Sequence, residues 1–306
     1  MSEGVHYTIH TNMVYLLISM TIFLIITRIL VNLLDLPLIL DGSRDVDFKI
    51  LLLGLKNGLI DFYDPVMVPE GVPDWPPYYL YFWYFIFYPM GLIPFEFGVY
   101  IWDILRLVIS SYIVLKGFKI IKNRTNLLWF YFTMAVGFLI DGWYNNCNFL
   151  IIFFLLLSYT SLEKDKMWVS GIYFALSTIK INSVLFVLVL LLAKKIKFKD
   201  LIYYLIPFFV LCLPYVIFPD YLFQMLDNWS NSTPGIQGLT FLDPIIWKAV
   251  QPSHLMFLGF LLILIFEPLM QYEKGKKYRT IIVVILILFY IYISITVWIL
   301  PLIFIY

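Results

Sequence analysis

The sequence contains little charge. Only 13% of its 306 residues are Asp, Glu, Lys or Arg, whereas 62% are hydrophobic. A soluble fold needs more polar surface than this to cover its apolar side chains, so the main solvent of the chain is expected to be lipid. The net charge of +1 also provides no basic field for nucleic acid, which we exclude as a partner. The composition therefore predicts an integral membrane protein.

Cysteine is scarce as well. Cys147 and Cys212 lie far apart and have no CxxC or Cys/His spacing, so neither a zinc site nor a redox pair is indicated. The N-terminus has no basic residue before the first apolar run, and no small-residue cleavage site follows that run. Residues 13–34 are therefore interpreted as a retained first helix.

Long apolar runs are abundant, and a membrane-spanning helix needs about 20 predominantly apolar residues. The candidate runs are 13–34, 78–95, 97–118, 126–141, 147–161, 167–181, 183–193, 201–218, 253–271 and 281–305. Basic residues cluster between these runs at 116–124, 164–166, 194–199 and 274–279. The positive-inside rule places all of these clusters on the cytoplasmic side, so an even number of crossings separates each from the next.

This rule leaves no crossing for the aromatic run 78–95 if the N-terminus is cytoplasmic. Prolines interrupt and border that run, and its tyrosines are typical of a membrane interface. We therefore predict one all-α domain over residues 1–306, a polytopic bundle of about nine transmembrane helices. The predicted outer loops are 35–96, with short interfacial helices, and 219–252. The alternative is that 78–95 spans the membrane and the N-terminus lies outside.

The first outer loop is rich in carboxylates and contains a DxD pattern formed by Asp45 and Asp47. At this spacing two carboxylates share a divalent cation such as Mg²⁺ or Mn²⁺, or one acts as a base while the other orients it. Apolar residues then dominate 48–56 before Asn57-Gly58, which predicts a short helix on the membrane surface. Asp47 would lie near the start of this helix, where its alternative role is helix capping.

Three motifs follow one another along the chain. The first reads DxDF, eight residues, NG, FYDP and WPPYYLYF; the second places Asp141 and Asn148 in a D-x6-N turn; in the third, small residues precede Lys180. Over residues 10–195 this order resembles the GT-C glycosyltransferases that use polyprenyl-phosphate sugars. The resemblance is strongest to the α-mannosyltransferases that use polyprenol-phosphate-mannose.

The resemblance implies an inverting membrane enzyme that moves a sugar, mannose, from a polyprenyl or dolichyl phosphate carrier to a lipid or glycan acceptor. Transfer would occur on the outer face of the cell membrane or the luminal face of the endoplasmic reticulum membrane. Asp47 would be the general base, Asp45 its partner or a metal ligand, and Asp141 and Asn148 substrate contacts. Members often run longer than this chain, so a C-terminal part is expected to be absent or supplied by an accessory membrane subunit.

A lipid phosphate leaves with its charge, so this chemistry needs a base and a cation at membrane level rather than an acid. The candidate cations are Arg28, Arg106 and Lys180, which lie inside apolar helices. Arg106 follows Asp103 by three residues, a spacing that also fits a structural salt bridge. Extension to the membrane surface explains Lys180 equally well. His254 is a further candidate for binding the phosphate or the acceptor.

Two other functions fit a polytopic membrane protein. A transporter or lipid flippase predicts paired charges near the membrane midplane and broken helices in matching halves. A non-catalytic scaffold predicts no convergence of Asp47, Asp141 and a basic residue on one cavity. The relative positions of these side chains therefore distinguish an enzyme from a scaffold.

Overall fold

The computed structural model describes residues 3–34, 45–56, 58, 62–63, 77, 79–121 and 124–231. Every regular element in these ranges is a helix, in agreement with the all-α class predicted from the composition. The predicted runs 253–271 and 281–305 and the candidate His254 lie outside the described residues.

The first half of the chain contains the helices α1 (Glu3–Leu34), α2 (Val46–Lys56), α3 (Phe82–Gly91), α4 (Phe95–Ile120) and α5 (Arg124–Tyr144). The second half contains α6 (Asn148–Leu162), α7 (Met167–Ser177), α8 (Leu185–Leu192), α9 (Ile202–Leu211), α10 (Pro214–Ile217) and α11 (Pro219–Asn231). Proline begins both α10 and α11, where its fixed φ suits the first helical turn and its missing N–H costs nothing.

The long helices form one packed series. Helix α1 packs against α4 and α5, α4 also packs against α6, α6 against α7, and α7 against α9. The α7–α9 contact is close because Gly171 has no side chain: a Cβ there would lie 1.7 Å from the carbonyl oxygen of Tyr203. Helix α2 packs beside α3, α4 and α5.

Two of the described helices are long and apolar enough to cross a membrane, namely residues Thr11–Leu33 of α1 and all of α4. Their outward sides are apolar, as Phe23 and Phe97 illustrate with 58% and 67% exposure. The ten-residue α3 covers about 15 Å, less than the length of a membrane-spanning helix. That the run 78–95 does not cross the membrane stays a prediction. The described helices do not confirm the count of nine crossings.

The predicted pair 167–181 and 183–193 departs most from expectation. Helix α7 ends at Ser177, a 3₁₀ turn occupies Ile181–Val184, and α8 has eight residues, so neither arm reaches the length of a span. The two arms still return to the same end of the bundle, because the ammonium of Lys195 lies 2.9 Å from the carboxylate of Glu163. Residues 164–166 and 194–199 therefore share one end, as the distribution of basic residues predicted.

Candidate functional site

The opposite end of the bundle collects the charged residues buried between its helices. Arg28, near the end of α1, binds Asp45 with two parallel hydrogen bonds of 2.9 and 3.0 Å. Its third nitrogen donates to Asp103 of α4 at 2.5 Å. Such a bidentate pair fixes both the distance and the orientation of its partners. The start of α2 is thus held against α1 and α4.

Arg28 is one member of a closed ring of side-chain hydrogen bonds. Asp103 accepts from Arg106, Arg106 donates to the side-chain oxygen of Asn145, and the amide of Asn145 donates to Asp45 at 2.6 Å. The five residues of this arginine ring, Arg28, Asp45, Asp103, Arg106 and Asn145, are all at most 4% exposed. Two arginines balance two aspartates, so the ring can be neutral, as a buried charge group must be if it is not to be very costly.

A second group, the Asp47 cluster, lies on the other side of the turn that follows α5. Asp47 accepts a hydrogen bond from the amide of Asn146, whose oxygen accepts from Lys180 at 2.8 Å. Asn148 donates to Asp141 at 2.9 Å, and Lys180 interacts electrostatically with both Asp47 and Asp141. The break between α7 and α8 supplies the lysine to this cluster, which comprises Asp47, Asp141, Asn146, Asn148 and Lys180.

Two residues at the turns that carry these groups have a left-handed backbone conformation. Asp45 has φ 58° and Asn145 has φ 52°, a region that Asp and Asn enter at less cost than most residues. The N–H of Asp45 donates to the carbonyl oxygen of Trp143 at 3.0 Å, which joins the two turns. The local strain is held by tertiary contacts, as is common at functional sites.

Exposure separates the members of the Asp47 cluster. Asp47 and Lys180 retain 8% and 7% exposure, whereas Asp141 is fully buried. A small molecule that reaches the cluster can therefore contact Asp47 and Lys180 first. Burial raises the pKa of Asp47 above its ordinary range, and Lys180 and the hydrogen bond from Asn146 offset part of that rise.

The structure thus brings together four of the residues predicted from the sequence, namely Asp47, Asp141, Asn148 and Lys180. Asp45 and Arg106 lie in the arginine ring, although Arg106 also interacts electrostatically with Asp141. The salt bridge that the Asp103–Arg106 spacing predicted is present. Lys180 is bound to Asn146 rather than extended to the surface.

The two aspartates of the DxD pattern consequently have different partners. Asp45 binds Arg28 and Asn145, whereas Asp47 binds Asn146. In the part of the chain that the structure describes, no three His, Cys, Asp or Glu side chains are grouped so that they could hold a metal ion. The geometry therefore provides no support for a cation shared by Asp45 and Asp47.

Asn145 and Asn146 were not predicted as site residues from the sequence. The available signal was two consecutive amides inside an otherwise apolar stretch, between Asp141 and Asn148. Their importance becomes visible only when the first loop packs on this turn, because their partners lie 100 and 99 positions away in the sequence.

Comparison with known proteins assigns the chain to a family. No curated protein and no solved structure matches it significantly. The sequence model of glycosyltransferase family 87 matches residues 78–303, well over half of the chain. The matched range includes Asp103, Arg106, Asp141 and Lys180, and begins after Asp47. The chain therefore belongs to glycosyltransferase family 87, a family of GT-C type membrane glycosyltransferases.

Proposed function

We propose that this glycosyltransferase transfers mannose from a polyprenyl or dolichyl phosphate carrier to a lipid or glycan acceptor, with inversion at the anomeric carbon. The family supports sugar transfer by a membrane enzyme, and the sequence resemblance supports the sugar and its carrier. The observation that carries the mechanism is the convergence of Asp47, Lys180 and Asp141, which a non-catalytic scaffold would not require.

In this mechanism the carboxylate of Asp47 takes the proton of the acceptor hydroxyl. The acceptor oxygen forms its bond to the anomeric carbon while the bond from that carbon to the phosphate oxygen breaks. The electron pair leaves with the lipid phosphate, which needs no proton. Asp47 later returns its proton to water.

Lys180 stabilises the departing phosphate, because its ammonium is the cation of the cluster that retains exposure. Arg106 is fully buried and engaged by Asp103 and Asn145, so we assign it a structural role. Asp45 belongs to the same ring and positions the start of α2. Asp141 is the second acidic contact, and it reaches substrate only after the cluster opens.

The site lies at the end of the bundle opposite Glu163 and Lys195. We therefore propose that it faces the outside or the lumen, since basic residues concentrate at the other end. Short interfacial helices such as α2 would hold Asp47 near the lipid headgroups, where a lipid-linked sugar presents its phosphate.

Isosteric replacement of the base tests the proposal. Asp47→Asn should lower mannosyl transfer from a polyprenyl-phosphate-mannose donor by about 100-fold or more, the usual contribution of a general base. The matched control is Asp165→Asn, which changes an exposed aspartate in the turn between α6 and α7. Asp165 has φ 56°, a conformation that asparagine also adopts. Undiminished transfer by Asp47→Asn in membranes would show that Asp47 is not the base.

A donor panel tests the sugar separately. Membranes containing the wild-type protein are supplied with polyprenyl phosphates that carry mannose, glucose or galactose. Transfer of mannose alone supports the assignment, and preferential transfer of another sugar replaces it without affecting the role of Asp47.

A further inference from the structure

The consecutive residues Asn145 and Asn146 make the same kind of contact on either side of one turn. Each side-chain oxygen accepts a hydrogen bond from a cation, Arg106 for Asn145 and Lys180 for Asn146. Each amide nitrogen donates to one aspartate of the DxD pattern, Asp45 for Asn145 and Asp47 for Asn146. The two asparagines therefore hold Asp45 in the arginine ring and Asp47 in the Asp47 cluster.

The amide of Asn146 cannot rotate without losing contacts. Its oxygen accepts from both Lys180, at 2.8 Å, and the backbone N–H of Cys147, at 2.7 Å. Its nitrogen donates to Asp47, and its own backbone N–H donates to the carbonyl oxygen of Asp141 at 3.0 Å. The side chain is 1% exposed, so water cannot readily replace these partners. A planar amide can serve a cation and a carboxylate at once because it carries a donor and an acceptor.

We propose that Asn146 is the positioning residue of the transfer site: it fixes the separation between the base Asp47 and the cation Lys180 and favours the ionised form of the base. This inference rests on the proposed function. It assigns Asn145 the corresponding structural role in the arginine ring.

The proposal predicts a change in pH dependence as well as in rate. The charged and titratable groups around Asp47 are Lys180 at the α7–α8 break, Asp141 and Tyr144 at the end of α5, and Cys147 in the following turn. Removal of the Asn146 donor retains the charges of these groups and takes away one hydrogen bond that lowers the pKa of Asp47. The base then needs a higher pH to ionise, so the acid limb of the rate profile moves toward alkaline pH.

The test compares two single variants of the full-length protein in membranes. A hydrogen bond to a charged group is worth a factor of about 10 to 100, so Asn146→Ala should lower kcat by about that factor. Its acid limb should move toward alkaline pH. Asn145→Ala removes the equivalent bond to Asp45 and should lower the amount of folded protein without moving the acid limb.

Two further variants keep the test decisive. Asn146→Asp has the same shape but faces Asp47 with an acceptor, so its acid limb should lie at least as high as that of Asn146→Ala. Asn146→Gln retains both functional groups and should recover part of kcat and part of the shift. Size-exclusion chromatography confirms that each variant is folded.

The outcomes separate this inference from the proposed function. An inactive Asp47→Asn together with an unshifted, near-wild-type Asn146→Ala overturns only the role of Asn146. An active Asp47→Asn overturns the proposed function itself. If no variant at position 146 folds, the residue is purely structural and the positioning role is rejected.

A second, independent feature is the arrangement of side chains around α11. Its residues fall on three faces at helical spacing. One face packs against the protein and holds the half-buried Tyr221 and the buried Met225 and Asn228. A second face is exposed and polar, with Asp220, Gln224 and Asp227. A third face is exposed and apolar, with Leu222, Phe223 and Leu226. A helix with protein, water and apolar faces has the pattern of a helix that lies in a membrane surface.

The buried face attaches α11 to the segment that follows α2. The amide nitrogen of Asn228 donates to the carbonyl oxygens of Tyr63 and Pro77, at 2.7 and 2.9 Å. The hydroxyl of Tyr215 in α10 lies 2.8 Å from that of Tyr63 and accepts from the N–H of Tyr81. Asn228 begins a glycosylation sequon, Asn-Trp-Ser, but both of its amide hydrogens are used in these contacts. Asn228 therefore holds α11 against the first loop and does not accept a glycan.

We infer that the apolar face of α11 rests in the lipid headgroup region and anchors the first loop at the bilayer surface. The occupant is lipid because the face continues the apolar surface of α10, where Val216 and Ile217 are 78% and 70% exposed. Phe223, in the middle of the face, is 67% exposed. The polar face beside it rules out complete immersion.

Fluorescence quenching at neighbouring positions tests this placement. Single cysteines at 223 and 224, in a protein whose Cys147 and Cys212 are replaced by alanine, are labelled with bimane in phosphatidylcholine vesicles. Lipids brominated on their acyl chains should quench the label at 223 and leave 224 bright, whereas aqueous iodide should do the opposite. Equal quenching at both positions means that water covers the face. A label at 223 that neither agent quenches means that protein covers it. Either result overturns the inference.

Discussion

The arginine ring offers a quantitative test of what holds the site together. In Asp103→Leu, Arg28 keeps Asp45 but Arg106 loses its carboxylate, so the ring carries an uncompensated positive charge among fully buried groups. Removal of one partner from a buried ion pair costs about 3–5 kcal/mol. For a protein of this size each kcal/mol shifts the melting temperature by about 2–4 °C, so a decrease of about 10 °C is expected.

The double variant Asp103→Leu/Arg106→Met restores neutrality. It removes one charge of each sign and leaves the bidentate Arg28–Asp45 pair in place. Replacement of a whole buried pair by apolar side chains of similar volume is often neutral or stabilising. The double variant should therefore be more stable than Asp103→Leu alone. Its loss of stability should be smaller than the sum of the losses of the two single variants.

Cys147 provides the assay. It is free, 3% exposed and located in the turn beside the ring, so a thiol-reactive dye labels it only when the turn opens. Cys212 is partly accessible and is replaced by serine in every variant. A melting temperature of Asp103→Leu within about 2 °C of the parent would contradict the predicted cost of the unpaired charge. A double variant as unstable as the sum of its single changes would contradict the predicted coupling.

Three other measurements follow from the structure. Gly171→Ala should strongly destabilise the protein, seen as loss of folded protein on size-exclusion chromatography, because its Cβ would lie 1.7 Å from the backbone oxygen of Tyr203; normal yield would mean that α7 and α9 are farther apart. The rate of sugar transfer by the wild type should increase with pH, with a midpoint above the pKa of an ordinary aspartate. The reason is that burial raises the pKa of Asp47, and only the ionised form of this proposed base accepts a proton. A rate that does not change with pH below neutrality would contradict this. Lys195→Ala should change stability by at most about 1 kcal/mol, because its partner Glu163 and the lysine itself are both partly exposed; a large loss in a melting experiment would indicate a role beyond this pair.

Local signals in the sequence predicted one element of the site well. The apolar residues 48–56 and the Asn57-Gly58 stop indicated a short helix, and α2 spans Val46–Lys56. Gly58 adopts φ +87°, which is easy for glycine and ends the helix. Asp47 therefore lies in the first turn of this helix, as the spacing predicted.

Long-range contacts explain where prediction from the sequence failed. The runs 167–181 and 183–193 have no charge except Lys180, so their hydropathy favours two membrane crossings despite their short lengths. In the structure the chain leaves the helix at Ser177 and brings Lys180 to Asn146. No property of either run by itself reveals that partner. Likewise, the DxD spacing indicates paired carboxylates and cannot show that each one binds a different asparagine.

The unequal charge balance of the two groups gives a physical reason for placing the chemistry at Asp47. The arginine ring has two cations for two carboxylates, and the Asp47 cluster contributes Lys180 for Asp47 and Asp141. Arg106 of the ring also acts on Asp141, so three cations face four carboxylates across the two groups. A buried site with a surplus carboxylate holds a proton readily. In the proposed mechanism, a lipid phosphate bound beside Lys180 would add negative charge and weaken the attraction of the lysine for Asp47. The affinity of Asp47 for a proton would then increase as the donor binds, so the proposed base would become stronger at the step in which the acceptor hydroxyl must lose its proton.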